Sequence, residues 1–181
     1  MKPDHDHARA PSRRRWLAMA AAGLAWSQVR AAQFPEISWD DLVPKGWDPL
    51  KSLGDMKPLS DSDPRAVKQY EKLREIWDNA PTVAAMAGRR VRLPGYLVPL
   101  DEAKDGIREF LLVPYFGACI HTPPPPANQI VHARAQTAIK GFQTMDAVWV
   151  DGTLGLVRGS SEMGASGYSM VVSRIEAYKK K

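Results

Sequence analysis

The chain has 181 residues, of which 25 are Lys or Arg and 20 are Asp or Glu, so its formal net charge is +5. Most of this excess lies in the first 32 residues, which carry six basic and two acidic side chains; without them the charge is +1. A nearly neutral chain has no electrostatic basis for binding nucleic acid, because that binding depends on neutralising phosphates.

The first 32 residues have the pattern of an export signal. Arg13, Arg14 and Arg15 precede an apolar run over residues 16–26, which is shorter than the roughly 20 residues that a membrane helix needs. Ser-Arg-Arg-Arg-Trp-Leu at positions 12–17 resembles the twin-arginine export pattern, and an ordinary secretory signal is the alternative. Cleavage would leave a periplasmic chain of 149 residues, a length that suits one domain with no membrane-spanning segment.

The mature chain is predicted to begin with an extended arm over residues 33–62, which is rich in Trp and Pro. Within the arm, Ser38 and Asp41 have the spacing of a capping box and predict one helical turn, which Pro44 ends. Trp39 is expected to anchor the arm on the domain that follows.

A single globular domain is predicted over residues 63–181, and it opens with an amphipathic helix over residues 64–79. Asp63 is the expected N-cap, and Pro64 occupies the first helical position. Apolar residues recur at helical spacing and predict a buried face: Val67, Tyr70, Leu73, Ile76 and Trp77.

From residue 88 onward, the apolar pattern changes to that of short strands separated by turns. The five strands are residues 90–93 and 96–99, joined by a bend at Gly95, and then residues 107–113, 129–135, 146–157 and 168–178. The predicted fold is therefore α+β and mainly β, a small five-stranded OB-like barrel with an N-terminal arm and one helix. A half-closed antiparallel sheet with the helix across one face is the alternative.

Residues 114–129 form the most unusual segment, Pro-Tyr-Phe-Gly-Ala-Cys-Ile-His-Thr-Pro-Pro-Pro-Pro-Ala-Asn-Gln. The four prolines, residues 123–126, predict a stiff polyproline II rod about 12 Å long, because proline fixes φ and has no N–H to donate. Cys119 is the only cysteine, so a disulfide within the chain is excluded, and its thiol must be sequestered, bonded elsewhere or used.

One hypothesis for this segment is a zinc site, because thiolate and imidazole are preferred zinc ligands. The candidate ligands are Cys119, His121 and His132, and the candidate carboxylates are Glu109, Asp146 and Glu162. The alternatives are that Cys119 is a small buried hydrophobic residue while His121 bonds a carbonyl group, or that the pair forms a thiol-dependent catalytic site.

Another hypothesis is a partner-binding scaffold, in which the prolines stack on aromatic residues of the domain and hold neighbouring amides in a fixed pose. The residues involved are Tyr96, Tyr115, Phe116, Pro123, Pro124, Pro125, Pro126, Asn128 and Gln129. These two amide side chains could recognise a partner, or they could satisfy backbone groups that the prolines leave unpaired.

Three segments have a distinctive sequence: Trp-Asp-Asp-Leu-Val-Pro at 39–44, Val-Arg-Leu-Pro-Gly-Tyr-Leu-Val-Pro-Leu at 91–100, and residues 109–129 with the proline run. Together they resemble an exported bacterial family, domain-of-unknown-function family 3299. The resemblance covers roughly residues 37–178 and carries no catalytic role. It implies an accessory or binding protein that handles metal, with zinc expected, beside the permease of an ABC transporter or another cell-envelope protein.

Overall fold

The structure is a computed structural model that describes six parts of the chain: residues 34–48, 51, 63–101, 105–118, 124–161 and 163–179. The predicted export signal and the candidates Cys119, His121, Pro123 and Glu162 lie outside these residues. Within the described parts, no helix combines the length and apolar character needed to cross a membrane.

Five long strands form a closed barrel in the order β1-β2-β3-β7-β4. All neighbours are antiparallel except β3 and β7, which are parallel, and β1 pairs with both β2 and β4. This closure confirms the predicted OB-like barrel over the half-closed sheet. The barrel strands are β1 (Arg90–Pro99), β2 (Ile107–Val113), β3 (Val131–Ile139), β4 (Ala147–Gly155) and β7 (Tyr168–Ala177).

Two apolar clusters hold the barrel. The larger fills its interior with alternate residues of every barrel strand, among them Leu93, Phe110 and Met170. The smaller lies on the outer face of β1 and β2 and consists of Val98, Leu111, Val113, Ala118 and Ile130. Strand β2 is therefore buried on both faces, which explains why its second half is a continuous apolar run instead of an alternating one.

Strand β1 runs without a break through Pro94 and Gly95, so the segments predicted at residues 90–93 and 96–99 form one strand. The N–H and C=O of Arg92 bond Pro35 O at 2.8 Å and Ile37 N at 3.0 Å. Pro35 and Ile37 thus pair with β1 before the stretch where β2 pairs with it, which begins at Tyr96. Pro94 lies in this earlier stretch, so its lack of an N–H breaks no hydrogen bond between β1 and β2. Trp39 Nε1 donates to Pro94 O at 2.7 Å and anchors the arm there.

The predicted helical turn of the arm is present as a 3-10 helix, Trp39–Leu42. The Asp41 carboxylate accepts hydrogen bonds from the Ser38 N–H at 2.8 Å and the Ser38 hydroxyl at 2.9 Å. These bonds lower the pKa of Asp41. Leu42 is fully buried in the interior cluster, so the arm is part of the core and not only a surface strap.

Helix α1 (Pro64–Asp78) has the predicted ends. Asp63 Oδ1 accepts the Arg65 N–H at 2.9 Å, and Asn79 Nδ2 donates to Glu75 O at 2.9 Å. The first bond satisfies an N–H that the helix leaves without an internal partner. The second adds a side-chain donor to a carbonyl that also accepts the Asn79 N–H at 3.1 Å.

The buried face predicted for α1 is only partly buried. Val67 and Tyr70 are 60% and 47% exposed. The helix is held at its C-terminal end, where the Arg158 guanidinium donates to Asp78 O at 3.0 Å and Ala80 O at 2.7 Å. A cation beside these carbonyls also opposes the negative end of the helix dipole.

Two other elements differ from prediction. Gln129 belongs to a 3-10 helix, Ala127–Gln129, because its N–H bonds Pro126 O at 2.7 Å, and β3 starts only at Val131. A hairpin of β5 (Gly159–Ser161) and β6 (Gly164–Ser166) was not predicted. Its Gly and Ser residues have low strand propensity and no apolar alternation, so its pairing depends on the surrounding structure.

The hydroxyl of Tyr168 joins three segments at one end of the barrel. It donates to Leu42 O at 2.7 Å and accepts the Val83 N–H at 2.7 Å, and the ring is fully buried in the interior cluster. Burial raises the pKa of Tyr168, so the phenol stays neutral well beyond physiological pH. One side chain thus fixes the arm and the segment before β1 against the start of β7.

We expect Tyr168→Phe to lower the free energy of unfolding by about 2 kcal/mol, because it leaves a buried C=O and a buried N–H without partners. Urea unfolding followed by circular dichroism measures this change. Tyr178→Phe is the matched control, since Tyr178 is exposed and its change should stay within about 0.5 kcal/mol. Equal effects of the two substitutions would contradict the role assigned to Tyr168.

Candidate functional site

The outer face of β1 and β2 carries one residue of the proline motif, residues 114–129, and the residue that follows it. Ala118, within the motif, and Ile130, directly after it, are both buried against Val98, Leu111 and Val113. The described parts on both sides of positions 119–123 are therefore connected to the same apolar cluster.

The first half of the motif displays two aromatic side chains. Tyr115 is 42% exposed and Phe116 is 67% exposed. The Phe116 ring meets Tyr96 of β1 edge-on, with centroids 5.8 Å apart and an interplanar angle of 80°. Gly117 has a φ of 83°, which favours glycine, and its N–H points to Met145 Sδ at 3.2 Å. This turn holds Phe116 on the outside while the chain enters the cluster at Ala118.

Pro124 lies beside aromatic residues of α1. It lines a small cavity with Tyr70, Leu73 and Trp77. Its ring also faces the turn between β5 and β6, where a Cβ added to Gly164 would lie 3.1 Å from Pro124 Cβ.

The described end of the proline run has the predicted conformation. Pro125 is buried, and Pro126 has a φ of −54° and a ψ of 148°, as in polyproline II. The run therefore enters the 3-10 helix as an extended segment packed against the domain.

The amides at the end of the motif face inward. Asn128 is fully buried, and its Nδ2 donates to Pro81 O at 3.0 Å. Its Oδ1 has no hydrogen-bond partner among the described residues. Gln129 is half-buried. The backbone of the same 3-10 helix is also bonded to the domain, since Ala127 O accepts the Gly167 N–H at 2.6 Å. The Asn128 side chain thus satisfies the backbone carbonyl of Pro81, which is the second of the two roles expected for the amides of the motif.

His132 lies on the outer face of β3, beside Glu109 of β2. Its Nε2 is 2.5 Å from Glu109 Oε1, although the direction of approach is not that of a well-formed hydrogen bond. Arg134 donates to the same oxygen at 2.9 Å and 3.1 Å. Arg134 and, to a smaller extent, His132 lower the pKa of Glu109. The Nδ1 edge of the imidazole faces Gly159 of β5.

The structure brings Glu109 to His132 but places Asp146 elsewhere. Asp146 Oδ2 accepts the Gln143 N–H at 2.8 Å and closes the turn before β4. Across the described ranges, no three His, Cys, Asp or Glu side chains are grouped as metal ligands. The two motif ligands, Cys119 and His121, lie outside those ranges.

Sequence reasoning missed a polar and aromatic network on the outer face of β1, β4 and β7. The Arg92 guanidinium bonds Asp151 at 2.9 Å and Glu176 at 2.7 Å, and lies 5.0 Å from the Trp149 ring. Trp149 stacks on Tyr178, with centroids 5.3 Å apart. The outward positions of these residues follow from strand alternation, but their pairing depends on register, which the sequence does not display.

Comparison with known proteins relates the barrel and the motif to one family. The family model described as "Protein of unknown function (DUF3299)" matches residues 39–177. A crystal structure of a DUF3299 family protein from Pseudomonas aeruginosa PAO1 is 37% identical to this chain, with a TM-score of 0.65. The similarity covers 82% of this chain and 99% of that one. The comparison with curated proteins gave no match. The chain therefore belongs to the DUF3299 family.

Proposed function

We propose that this protein is an exported periplasmic accessory protein that binds a cell-envelope partner through Tyr115 and Phe116. The observation that carries the proposal is the division of the motif into a buried half and a displayed half. Asn128 and Pro125 are buried in the domain, whereas Phe116 is 67% exposed. An aromatic ring held in water by a rigid support is typical of an interface residue.

The surroundings of Phe116 extend this surface. Tyr96, which Phe116 contacts, also lines a cavity of about 240 Å³ together with Trp39, Pro114 and Tyr178. A partner side chain could enter this depression while covering the Phe116 ring. Because the surface is already ordered, little conformational entropy would be lost on binding.

Binding is favoured over catalysis because the displayed side chains carry no group that titrates near neutral pH. The proposed partner is an ABC-transporter permease or another envelope protein. The pattern of the first 32 residues and the family resemblance support this placement. A Cys119 and His121 thiol enzyme is the alternative function.

A photo-reactive phenylalanine analogue at position 116 should crosslink the partner in intact cells, giving one adduct of defined mass. The same analogue at Val157, which is 70% exposed, serves as the control and should give none. Phe116→Ala should reduce partner binding while changing stability by less than about 1 kcal/mol. Adducts of equal yield at both positions, or none at position 116, would contradict the proposal.

Asn128→Ala should lower the free energy of unfolding and leave partner binding by the folded protein unchanged. It removes a fully buried side chain that donates to the Pro81 carbonyl, so we expect a loss of about 1–3 kcal/mol in the free energy of unfolding. Thermal unfolding of Asn128→Ala beside Phe116→Ala measures the difference. If Asn128→Ala kept full stability but lost the adduct at position 116, Asn128 would instead be a recognition residue.

Zinc binding by Cys119, His121 and His132 is a second candidate function. It is favoured by the positions of Ala118 and Pro124, which flank the Cys119 segment. Ala118 packs on Ile130, and Pro124 lies with Ile130 around Gly164. Ile130 is two residues before His132, so the described residues on both sides of positions 119–123 lie close to the strand that carries His132. Glu109 beside Nε2 resembles the common carboxylate–histidine arrangement, and a metal on Nδ1 would lie on the side of the ring that faces Gly159.

We expect mature protein equilibrated with zinc and desalted to retain about one ion per chain and to melt at a higher temperature than metal-free protein. Cys119→Ser and His132→Gln should each lower the retained zinc, measured by elemental analysis. Asp146→Asn is the control, because that carboxylate closes a turn. Protein that retains no zinc and melts unchanged on zinc addition would rule out this function.

A further inference from the structure

A cleft opens where the two parallel strands of the barrel diverge. β3 and β7 pair only from Val131↔Tyr168 to Ala135↔Val172. Both strands continue for several residues, to Ile139 and Ala177. A cavity of about 630 Å³ lies between these continuations, lined by residues 135–140 and 171–175 together with Phe142.

Bulges on both strands produce this divergence. Against β2, the register of β3 jumps from Glu109↔Arg134 to Ile107↔Ile139, so β3 carries extra residues there. Against β4, the pairs Asp151↔Arg174 and Gly152↔Val172 leave Ser173 of β7 without an opposite residue. Bulges bend a strand and end its pairing. The cleft is therefore set by the strand register and is not a frayed end.

The divergence leaves two strand edges facing the cleft. From Ser173 onward, β7 pairs with β4 along one edge and has no ladder to β3 along the other. Residues 136–139 of β3 likewise have no ladder to β7. Main-chain N–H and C=O groups along such an edge are complemented by another extended backbone.

The side chains that line the cleft indicate which kinds of residue a bound segment would carry. Lys140 and Arg174 line the cleft, and no carboxylate is among the described residues that do. Two carboxylates lie nearby: Asp105 is paired with Arg108, and Glu176 is shared by Arg92 and Arg174. Arg174 would therefore meet a second carboxylate with the N–H groups that Glu176 does not use, whereas Lys140 belongs to neither pair.

The floor of the cleft is apolar. Phe142 and Ile175 lie there and pack against the interior cluster. Cations at the rim and apolar groups below suit a strand whose acidic and apolar residues alternate, since successive side chains of a strand point to opposite sides.

We propose that an extended acidic segment of a partner protein binds in this cleft by strand addition. Its backbone pairs with the free edge of β7 or β3, its carboxylates meet Lys140 and Arg174, and its apolar residues contact Phe142 and Ile175. The cleft is distinct from the Phe116 surface, because β2 and β4 separate β3 and β7 from β1 in the barrel order.

A random peptide library displayed on phage and selected on the intact mature protein tests this proposal. We expect enrichment of peptides with alternating acidic and apolar residues. Synthetic versions should bind at least tenfold more weakly to Lys140→Gln/Arg174→Gln, and N-methylation of alternate backbone amides should abolish binding. Lys140→Glu/Arg174→Glu should weaken binding further, with thermal unfolding confirming that each variant is folded.

The matched control is Lys68→Glu/Lys72→Glu, which makes the same charge change as the Glu pair on the exposed face of α1. It should leave peptide binding within twofold of the unsubstituted protein. Any one of three results would overturn the proposal. The selected peptides could lack acidic residues, they could bind the Gln variant as tightly as the unsubstituted protein, or they could still bind after N-methylation. A dimer that dissociates on substitution of Lys140 and Arg174 would also overturn it, because the occupant would then be a second copy of the chain.

Discussion

The hydrogen bonds of one buried hydroxyl determine how the motif is held. Tyr168 fixes Leu42 of the arm and Val83 of the segment before β1. Two residues before Val83, the carbonyl of Pro81 accepts the amide of Asn128. The motif thus rests on a segment whose position depends on Tyr168. Because Tyr168, Leu42 and Asn128 are fully buried, loss of one of these bonds leaves a buried polar group unsatisfied.

The barrel separates two surfaces with different chemistry. Phe116 and Tyr96 form an aromatic surface beside β1, where binding would be dominated by apolar burial. The cleft between β3 and β7 offers main-chain groups and two cations, so binding there would depend more on salt concentration. Partners at the two places would therefore respond differently to ionic strength, and one molecule could hold both at once.

The features that the sequence predicted well are local ones. Asp63, Pro64 and Asn79 delimit α1 because capping chemistry acts within one helical turn, and the barrel strands follow from apolar alternation. Strand β1 tolerates Pro94 because the arm covers that part of its edge, and this contact between distant segments has no local signal in the sequence. The placement of His132 beside Glu109 depends on the register of β2 and β3. The exposure of Tyr70 depends on how far α1 extends beyond its contacts with the rest of the domain. Neither has a local signal.

The bond between Leu42 and Tyr168 spans 126 residues of the chain. The chain must be synthesised as far as β7 before Leu42 can meet the last barrel strand. Contacts of such long separation impose a loop-closure cost and slow folding. Until β7 is in place, the arm has no partner for Leu42 O, and the β1 edge beside Pro94 depends on the remaining arm contacts alone. The order of synthesis thus makes the C-terminal strand the step that completes the N-terminal end of the barrel.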